Sequence, residues 1–93
     1  MLYKLAKSVR QIVAHNSSIT SLICYGDEIH LISGDDEGII KIWDIRMEQC
    51  LNNFKGHNKK YDEGTLSLAC LLNEKIIISG GADSTIKVWN SQI

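Results

Sequence analysis

The chain has 93 residues, of which 44% are hydrophobic and 23% are charged, a composition typical of a small globular domain. Its formal net charge of −1 indicates no basic surface for nucleic acid or anionic lipid. Its apolar stretches are far shorter than the roughly 20 residues that span a bilayer, and residues 1–14 lack the continuous apolar core of a signal peptide. We therefore expect an intracellular protein, nuclear or cytoplasmic, that binds neither membranes nor nucleic acid.

Short runs of β-branched and apolar residues, separated by turn signals every 8–12 residues, predict an all-β protein of antiparallel meanders. Gly, Asp and Asn mark the turns, and the chain has no proline. In chain order the predicted strands are residues 8–14, 19–25, 28–33, 39–44, 50–55, 65–72, 75–79 and 85–90.

The three cysteines, Cys24, Cys50 and Cys70, are odd in number and form no C-x-x-C pair, which argues against a disulfide framework and against a zinc site. All three lie in apolar strand-like segments, so we predict that they are reduced and act as small hydrophobic residues. The acidic run at residues 35–38 lacks the ligand spacing of a calcium loop. We predict no metal and no cofactor.

The chain contains an internal repeat. Residues 33–46 read SGDDEGIIKIWDIR and residues 79–90 read SGGADSTIKVWN, at a constant offset of 46 residues. The histidines that precede the two copies, His15 and His57, are only 42 residues apart, so residues 58–64 contain an insertion of about four residues. A fixed-period repeat of this length indicates a repeat architecture. We predict a first repeat at residues 8–55 and a second at residues 56–93.

These residues resemble the WD-repeat family, whose repeats have G-H and W-D signatures and form four-stranded propeller blades. The first signature appears here as Ala14-His15 and Gly56-His57, and the second as Trp43-Asp44 and Trp89-Asn90. The similarity covers about residues 8–93. It implies two four-stranded antiparallel blades of an incomplete β-propeller.

In that family a His, a Ser or Thr, an Asp and a Trp form a hydrogen-bonded network within each blade. The resemblance assigns the second network completely, whereas in the first one Glu37 occupies the position of the Asp and Asp36 is an alternative. The implied network residues are His15, Ser33, Glu37 and Trp43 in the first repeat, and His57, Ser79, Asp83 and Trp89 in the second.

The same residue types also occur in hydrolase triads, where the serine must be exposed on a strained turn beside an oxyanion hole. Here Ser33 and Ser79 end apolar strands, and the whole set repeats together with a tryptophan. We therefore expect a structural network, no catalytic residues and a non-catalytic scaffold. A Ser/His hydrolase is the alternative, and an exposed serine beside a histidine would support it.

The strand count predicts an unfinished ring. Residues 8–14 would be the outer strand of a preceding blade, residues 19–55 a complete blade, and residues 65–90 three strands that lack an outer one. Propellers have about four to eight blades. We expect either a fragment of a longer propeller, without independent function, or a ring of three or four chains in which the N-terminal strand of one chain completes the last blade of its neighbour.

Function in propellers resides in surface loops, so we expect other proteins as partners. The inserted loop at residues 58–64 provides Lys59, Lys60 and Tyr61 as candidate contacts, because aromatic residues are enriched at binding hot spots.

Residues 43–46, WDIR, are similar to the W-D-x-R element with which some WD-repeat proteins bind the adaptor of cullin-type ubiquitin ligases, which makes Arg46 a further candidate contact. Residues 14–19 and 33–46 also resemble the opening repeats of a nucleolar WD-repeat group linked to ribosome biogenesis.

Overall fold

The structure is a computed structural model that describes residues 7–8, 10–25, 29–60, 63–71 and 75–90, apart from the side chain of Leu66. The described residues form seven strands and no helix, which confirms the all-β prediction. The strands are β1 (Ile19–Cys24), β2 (His30–Asp35), β3 (Ile39–Asp44), β4 (Gln49–Lys55), β5 (Thr65–Leu71), β6 (Ile76–Gly81) and β7 (Ile86–Asn90).

The strands form two separate antiparallel sheets, which we call blade 1 and blade 2. Blade 1 has the order β1-β2-β3-β4, and blade 2 has the order β5-β6-β7. The repeat is visible in the registers, because Ile32 pairs with Ile42 in blade 1 and Ile78 pairs with Val88 in blade 2. The two sheets do not close on each other. They therefore confirm the prediction of an incomplete propeller.

The hydrophobic core lies between the two blades. Period-2 alternation along β2 and β3 directs apolar side chains of blade 1 toward blade 2. Across this seam Phe54 of blade 1 contacts Trp89 of blade 2, with ring centroids 4.7 Å apart. Complete burial of an aliphatic side chain stabilises the fold by about 1.5–3 kcal/mol. The buried cluster consists of Tyr25, Ile32, Ile40, Ile42 and Ile77.

Backbone hydrogen bonds hold the segment that connects the two blades, at the end where the β2–β3 turn of blade 1 lies. The carbonyl of Gly38 accepts hydrogen bonds from the amides of Gly56 (2.8 Å) and His57 (3.2 Å). The amide of Ala82 donates to the carbonyl of Gly64 at 2.8 Å. The start of the second repeat is thereby fixed to the turn of the first blade.

The predicted strand at residues 8–14 is not present in its described part, because residues 7–8 and 10–14 form no strand. An outer strand needs the third strand of a preceding blade as its hydrogen-bonding partner, and the two described sheets provide no such strand for it. The segment instead leads directly to His15 in blade 1.

The environment predicted for the cysteines is wrong for two of the three. All three are free thiols, but Cys24 and Cys50 are exposed and Cys70 is half-buried. Cys50 lies on β4, the outermost strand of blade 1, where six of seven residues are exposed. An apolar sequence neighbourhood therefore does not bury a residue on an edge strand.

Candidate functional site

The second repeat contains a four-residue hydrogen-bonded network that runs from the interior of blade 2 to its β6–β7 turn. Trp89 Nε1 donates to Ser79 Oγ at 2.8 Å, and Ser79 Oγ lies 2.7 Å from His57 Nε2. His57 Nδ1 lies 3.0 Å from Asp83 Oδ1. Ser79 and His57 are both almost completely buried.

The donors and acceptors assign the tautomer of a neutral His57 imidazole. An ionised carboxylate only accepts, so His57 Nδ1 bears the hydrogen and donates it to Asp83. The neutral Nε2 then accepts from the Ser79 hydroxyl, whose oxygen is free to accept from the indole of Trp89. Every polar group in the chain of contacts is satisfied, which matters because an unpaired buried group costs about 1–3 kcal/mol.

Asp83 is held in its ionised form. The Thr85 hydroxyl, which donates to Oδ1 at 2.6 Å, has the largest effect in holding the pKa of Asp83 far below its ordinary value. The His57 imidazole and the backbone amides of Asn58 and Thr85 lower the pKa of Asp83 further, while burial opposes them. The carboxylate therefore joins the β6–β7 turn to the segment that carries the histidine.

The first repeat contains the same network with a different acid. Trp43 Nε1 donates to Ser33 Oγ at 2.9 Å, and Ser33 Oγ lies 2.6 Å from His15 Nε2. His15 Nδ1 lies 2.8 Å from Asp35 Oδ2. The acid is therefore Asp35, and the assignment of this position to Glu37 is wrong.

The reason for the shift lies in the equivalent position of the other blade. By the 46-residue offset, Asp35 is the equivalent of Gly81 in blade 2. A Cβ at Gly81 would lie only 2.2 Å from His57 Nδ1. This position therefore faces the histidine ring, and a carboxylate there reaches Nδ1 directly. Oδ1 of Asp35 also caps the turn, since it accepts from the amides of Glu37 and Ile39, both at 2.9 Å.

The two acids considered for this position lie elsewhere. Glu37 is half-exposed, and its Oε1 accepts from Lys59 Nζ at 2.7 Å. Asp36 has a buried Oδ1 with no hydrogen-bond partner among the residues that the structure describes. The sequence signal that could have identified Asp35 is its position at the end of β2, two residues after Ser33 and therefore on the same face of the strand.

Neither network is arranged for nucleophilic catalysis. Both serines are buried, with at most 1% of their surface exposed, and each hydroxyl already contacts a tryptophan and a histidine. A nucleophile must reach its substrate, and these oxygens are enclosed. Within the described ranges, no group of three or more His, Cys, Asp or Glu side chains could hold a metal ion.

The β3–β4 turn presents Arg46 to solvent in a fixed position. Asp44, which is buried, accepts from the amides of Arg46 (2.9 Å) and Met47 (3.1 Å), and its Oδ2 lies 3.6 Å from Arg46 Nη2. Burial raises the pKa of Asp44, but the two amides and the guanidinium outweigh it, so the pKa is lowered. The side chain of Arg46 is 64% exposed.

The same turn is also held by Arg10, which the sequence did not single out. Arg10 Nη1 donates to the carbonyls of Ile45 (2.7 Å) and Arg46 (3.1 Å), and its Nε lies 3.5 Å from Glu48 Oε1. No local motif marks this contact, because it spans 35 residues of sequence.

The other candidate contacts lie on the inserted loop. Lys59 forms the ion pair with Glu37 described above, and Lys60 forms a tight pair of backbone hydrogen bonds with Glu63 (2.6 and 2.9 Å). Tyr61 lies outside the described residues. The loop therefore places Lys59 beside the turn of blade 1.

The profile of the family described as WD domain, G-beta repeat, matches residues 6–44 and 48–90. The chain belongs to the WD40 repeat family. Its two blades, each with its network, are thus WD40 repeats. In the part of the chain that the structure describes, no helix is long and apolar enough to cross a membrane.

Three known proteins illustrate the relationship. The chain is 31% identical to human Striatin over 63 residues, which are 68% of this chain and 8% of Striatin. It is 38% identical to human DDB1- and CUL4-associated factor 4 over 47 residues, which are 50% of this chain and 10% of that protein. The crystal structure of the computationally designed Ika4 protein superposes with a TM-score of 0.73 at 30% identity, covering 92% of this WD40 chain and 49% of Ika4. The matched residues thus span about a tenth of the length of Striatin and of DDB1- and CUL4-associated factor 4.

Proposed function

We propose that this chain is a non-catalytic protein-interaction module, and that its β3–β4 turn binds the DDB1-type adaptor of a cullin ubiquitin ligase. The observation that supports this proposal is the presentation of Arg46, which is exposed although its turn is fixed. The match to DDB1- and CUL4-associated factor 4 supports the choice of partner, because that protein's name states its association.

The turn is suited to recognition because it is ordered before binding. Asp44 accepts from two amides of the turn, and Arg10 holds two of its carbonyls, so little conformational entropy remains to be lost when a partner binds. Arginine is enriched at interface hot spots, and its planar guanidinium forms bidentate hydrogen bonds with carboxylates. A partner with an acidic or carbonyl-lined pocket fits this surface.

The adaptor interaction is tested with purified adaptor and an immobilised chain. We expect Arg46→Ala to weaken adaptor binding by about tenfold or more, the effect of removing an arginine hot spot. Lys55→Ala is the matched control, because Lys55 is an exposed cation on β4. Equal binding by the wild-type chain and both variants would contradict the adaptor proposal.

A role in ribosome biogenesis is a second candidate. The resemblance of residues 33–46 to a nucleolar WD-repeat group favours it, and this segment contains Asp35, which takes the place of the acid in the first network. In this case the tagged chain accumulates in nucleoli, and Arg46→Ala does not displace it. A uniform distribution through the cytoplasm would contradict this candidate.

A Ser/His hydrolase is the alternative that the geometry supports least. We expect no hydrolysis of activated ester substrates by the purified chain, because Ser33 and Ser79 are enclosed. Turnover that is abolished by Ser79→Ala, with the fold retained, would contradict the non-catalytic proposal.

We further propose that other blades cover the open ends of this two-blade unit. They come either from a longer propeller, in which this unit would be a fragment, or from further copies of the chain in a ring of three or four.

A further inference from the structure

The one closed seam between the blades is a template for the surfaces that remain open. At this seam Ile40 of blade 1 lies against Gly56 and Trp89, since a Cβ at Gly56 would lie 2.4 Å from Ile40 Cδ1 and 3.4 Å from Trp89 Cζ2. Thr65 of blade 2 lies against Gly34, where a Cβ would lie 2.6 Å from Thr65 Cγ2. We call the side of a blade that contains Ile40 its forward face, and the side that contains Thr65 its rear face.

The forward face of blade 2 repeats that of blade 1 but is open. The 46-residue offset places Ile86 at the position of Ile40 and Val88 at the position of Ile42. Ile40 and Ile42 are 0% and 3% exposed, whereas Ile86 and Val88 are 78% and 64% exposed. The apolar side chains are retained although nothing described in this chain covers them.

The rear face of blade 1 is open in the same way. Ile19 corresponds to Thr65, which is completely buried, yet Ile19 is 50% exposed. Leu22 corresponds to Leu68, which packs against the core, yet Leu22 is 57% exposed. These two side chains line a shallow cavity of about 170 Å³ beside Trp43.

A glycine on the forward face is consistent with a neighbour there. Position 34 requires glycine, because Thr65 occupies the space that a side chain would fill. Gly80, the equivalent residue of blade 2, has only Ser67 Oγ near its missing Cβ, at 3.2 Å. The empty space beside Gly80 is where Ile19 of another unit would lie, if that contact repeats the closed seam.

An unpaired strand edge accompanies the open forward face. β3 pairs with β4, but β7 has no further partner among the described strands. The 42-residue offset between the histidines maps β4 onto residues 7–13, and the described part of that segment forms no strand in its own chain. Repetition of the β3–β4 register, in which Lys41 pairs with Asn53, would pair Lys87 with Gln11.

We propose that a second copy of this chain docks head to tail on these surfaces. Ile86 and Val88 of one copy pack against Ile19, Leu22 and Trp43 of the next, and residues 10–13 of the next copy add a strand to β7. This inference rests on the proposed non-catalytic module with open ends. The contact joins unlike faces, so it is heterologous, and repetition closes it into a ring of three or four chains.

The second copy is favoured as the occupant because the contact continues a seam that the chain already builds. Each open face is the repeat equivalent of one side of that seam, so an apolar forward face would meet an apolar rear face. Several equivalent positions differ, since Ile19 replaces Thr65, Val88 replaces Ile42 and Ala14 replaces Gly56. The Cβ of Ala14 would meet the flexible end of Ile86, which can rotate away.

The first test is the mass of the purified chain in sedimentation velocity. We expect one discrete species with three or four times the 10.4 kDa of the chain. Val88→Glu is expected to raise the concentration for half-association by about 100-fold or more, because it places a charge in the seam. Met47→Glu is the control, since Met47 is 68% exposed on the β3–β4 turn.

The second test separates a heterologous contact from other kinds of association. Val88→Glu removes only the forward face and Leu22→Glu removes only the rear face, so each variant alone is expected to be a monomer. Their equimolar mixture retains one intact contact and is expected to form a dimer and nothing larger. A mixture that remains monomeric overturns the proposal.

The third test measures the register of the added strand. In a Cys24→Ser, Cys50→Ser, Cys70→Ser background, oxidation of mixed Gln11→Cys and Lys87→Cys chains is expected to give an intermolecular disulfide, because paired strand residues lie within disulfide reach. Gln11→Cys mixed with Lys55→Cys is the control. Equal cross-linking of both pairs, or a monomeric wild-type chain, overturns the proposal.

These experiments contain no adaptor protein, and Arg46 lies outside the two open faces. A failure of self-association therefore leaves the adaptor experiment unaffected. A failure of adaptor binding likewise leaves the self-association experiments unaffected.

Discussion

Asp35 and Gly81 occupy the same position in the two blades, and both face the network histidine of their blade. The carboxylate of Asp35 contacts His15, whereas Gly81 leaves its space to the ring of His57. The second blade places its acid two residues later, at Asp83. The same imidazole environment is thus built from two different turn sequences.

We predict that Asp35→Ala destabilises the chain much more than Glu37→Ala. Loss of Asp35 leaves His15 Nδ1 and two turn amides without their acceptor, which costs about 1–3 kcal/mol. Loss of Glu37 removes one exposed ion pair, worth at most about 1 kcal/mol. Urea unfolding followed by circular dichroism gives both values. Equal losses would contradict the assignment of Asp35 as the acid of the first network.

Ser79→Ala is expected to destabilise the chain by about 1–3 kcal/mol, because the indole of Trp89 and Nε2 of His57 both lose their partner. The emission of tryptophan should also shift as the environment of Trp89 changes. Ser67→Ala is the matched control, because Ser67 is exposed on β5. Unfolding of both variants at the same urea concentration would contradict the network assignment.

The stability of the chain should fall in acid partly through Asp83. The pKa of Asp83 in the folded chain is lowered from 3.8, so the unfolded chain takes up a proton at a higher pH than the folded chain does. The resulting stabilisation is fully present above pH 3.8 and is lost as the pH falls toward the pKa of the folded state. Asp83→Asn should be less stable at pH 7 and should lose less stability between about pH 5 and pH 2.

The measurement for Asp83 is the urea midpoint as a function of pH, with Glu48→Gln as the control variant. Asp44, whose pKa is also lowered, remains in both variants and gives a shared background. Parallel pH profiles for wild type and Asp83→Asn would contradict the prediction.

Gly38→Ala is expected to cost at least about 2–3 kcal/mol, because two separate effects add. Gly38 has a φ of 86°, which disfavours other residues, and a Cβ there would lie 1.8 Å from the carbonyl oxygen of His57. Gly38→Asn separates the effects, since asparagine tolerates positive φ but still clashes. Thermal unfolding gives the comparison, and a stable Gly38→Ala chain would contradict the prediction.

The repeat made the strands predictable. The constant offset from residues 33–46 to residues 79–90 located β2, β3, β6 and β7 within a few residues, since alternation and turn residues agree with each other there. The resemblance to the family also named the four residues that the structure brings together in blade 2. The prediction of the fold and of this site therefore depended on local sequence patterns.

Other features could not be predicted, because they depend on tertiary contacts that no local sequence pattern encodes. The offset pointed to Glu37, but an acid earlier in the turn reaches His15 from a position where the other blade has glycine. Residues 8–14 have a strand-like sequence but lack a neighbouring strand, and Cys50 has an apolar context but lies on an outer strand. In each case the tertiary environment overrides the local preference.

The position of His57 makes the two sheets mutually dependent. This residue follows the last strand of blade 1, but all its side-chain partners, Ser79, Asp83 and Thr85, belong to the other sheet. Protease cleavage within the inserted loop at 58–64 would leave the histidine on one fragment and its pocket on the other. Each fragment would then lack a contact that the other fragment provides, so we expect two halves divided at this loop to reassemble when they are mixed.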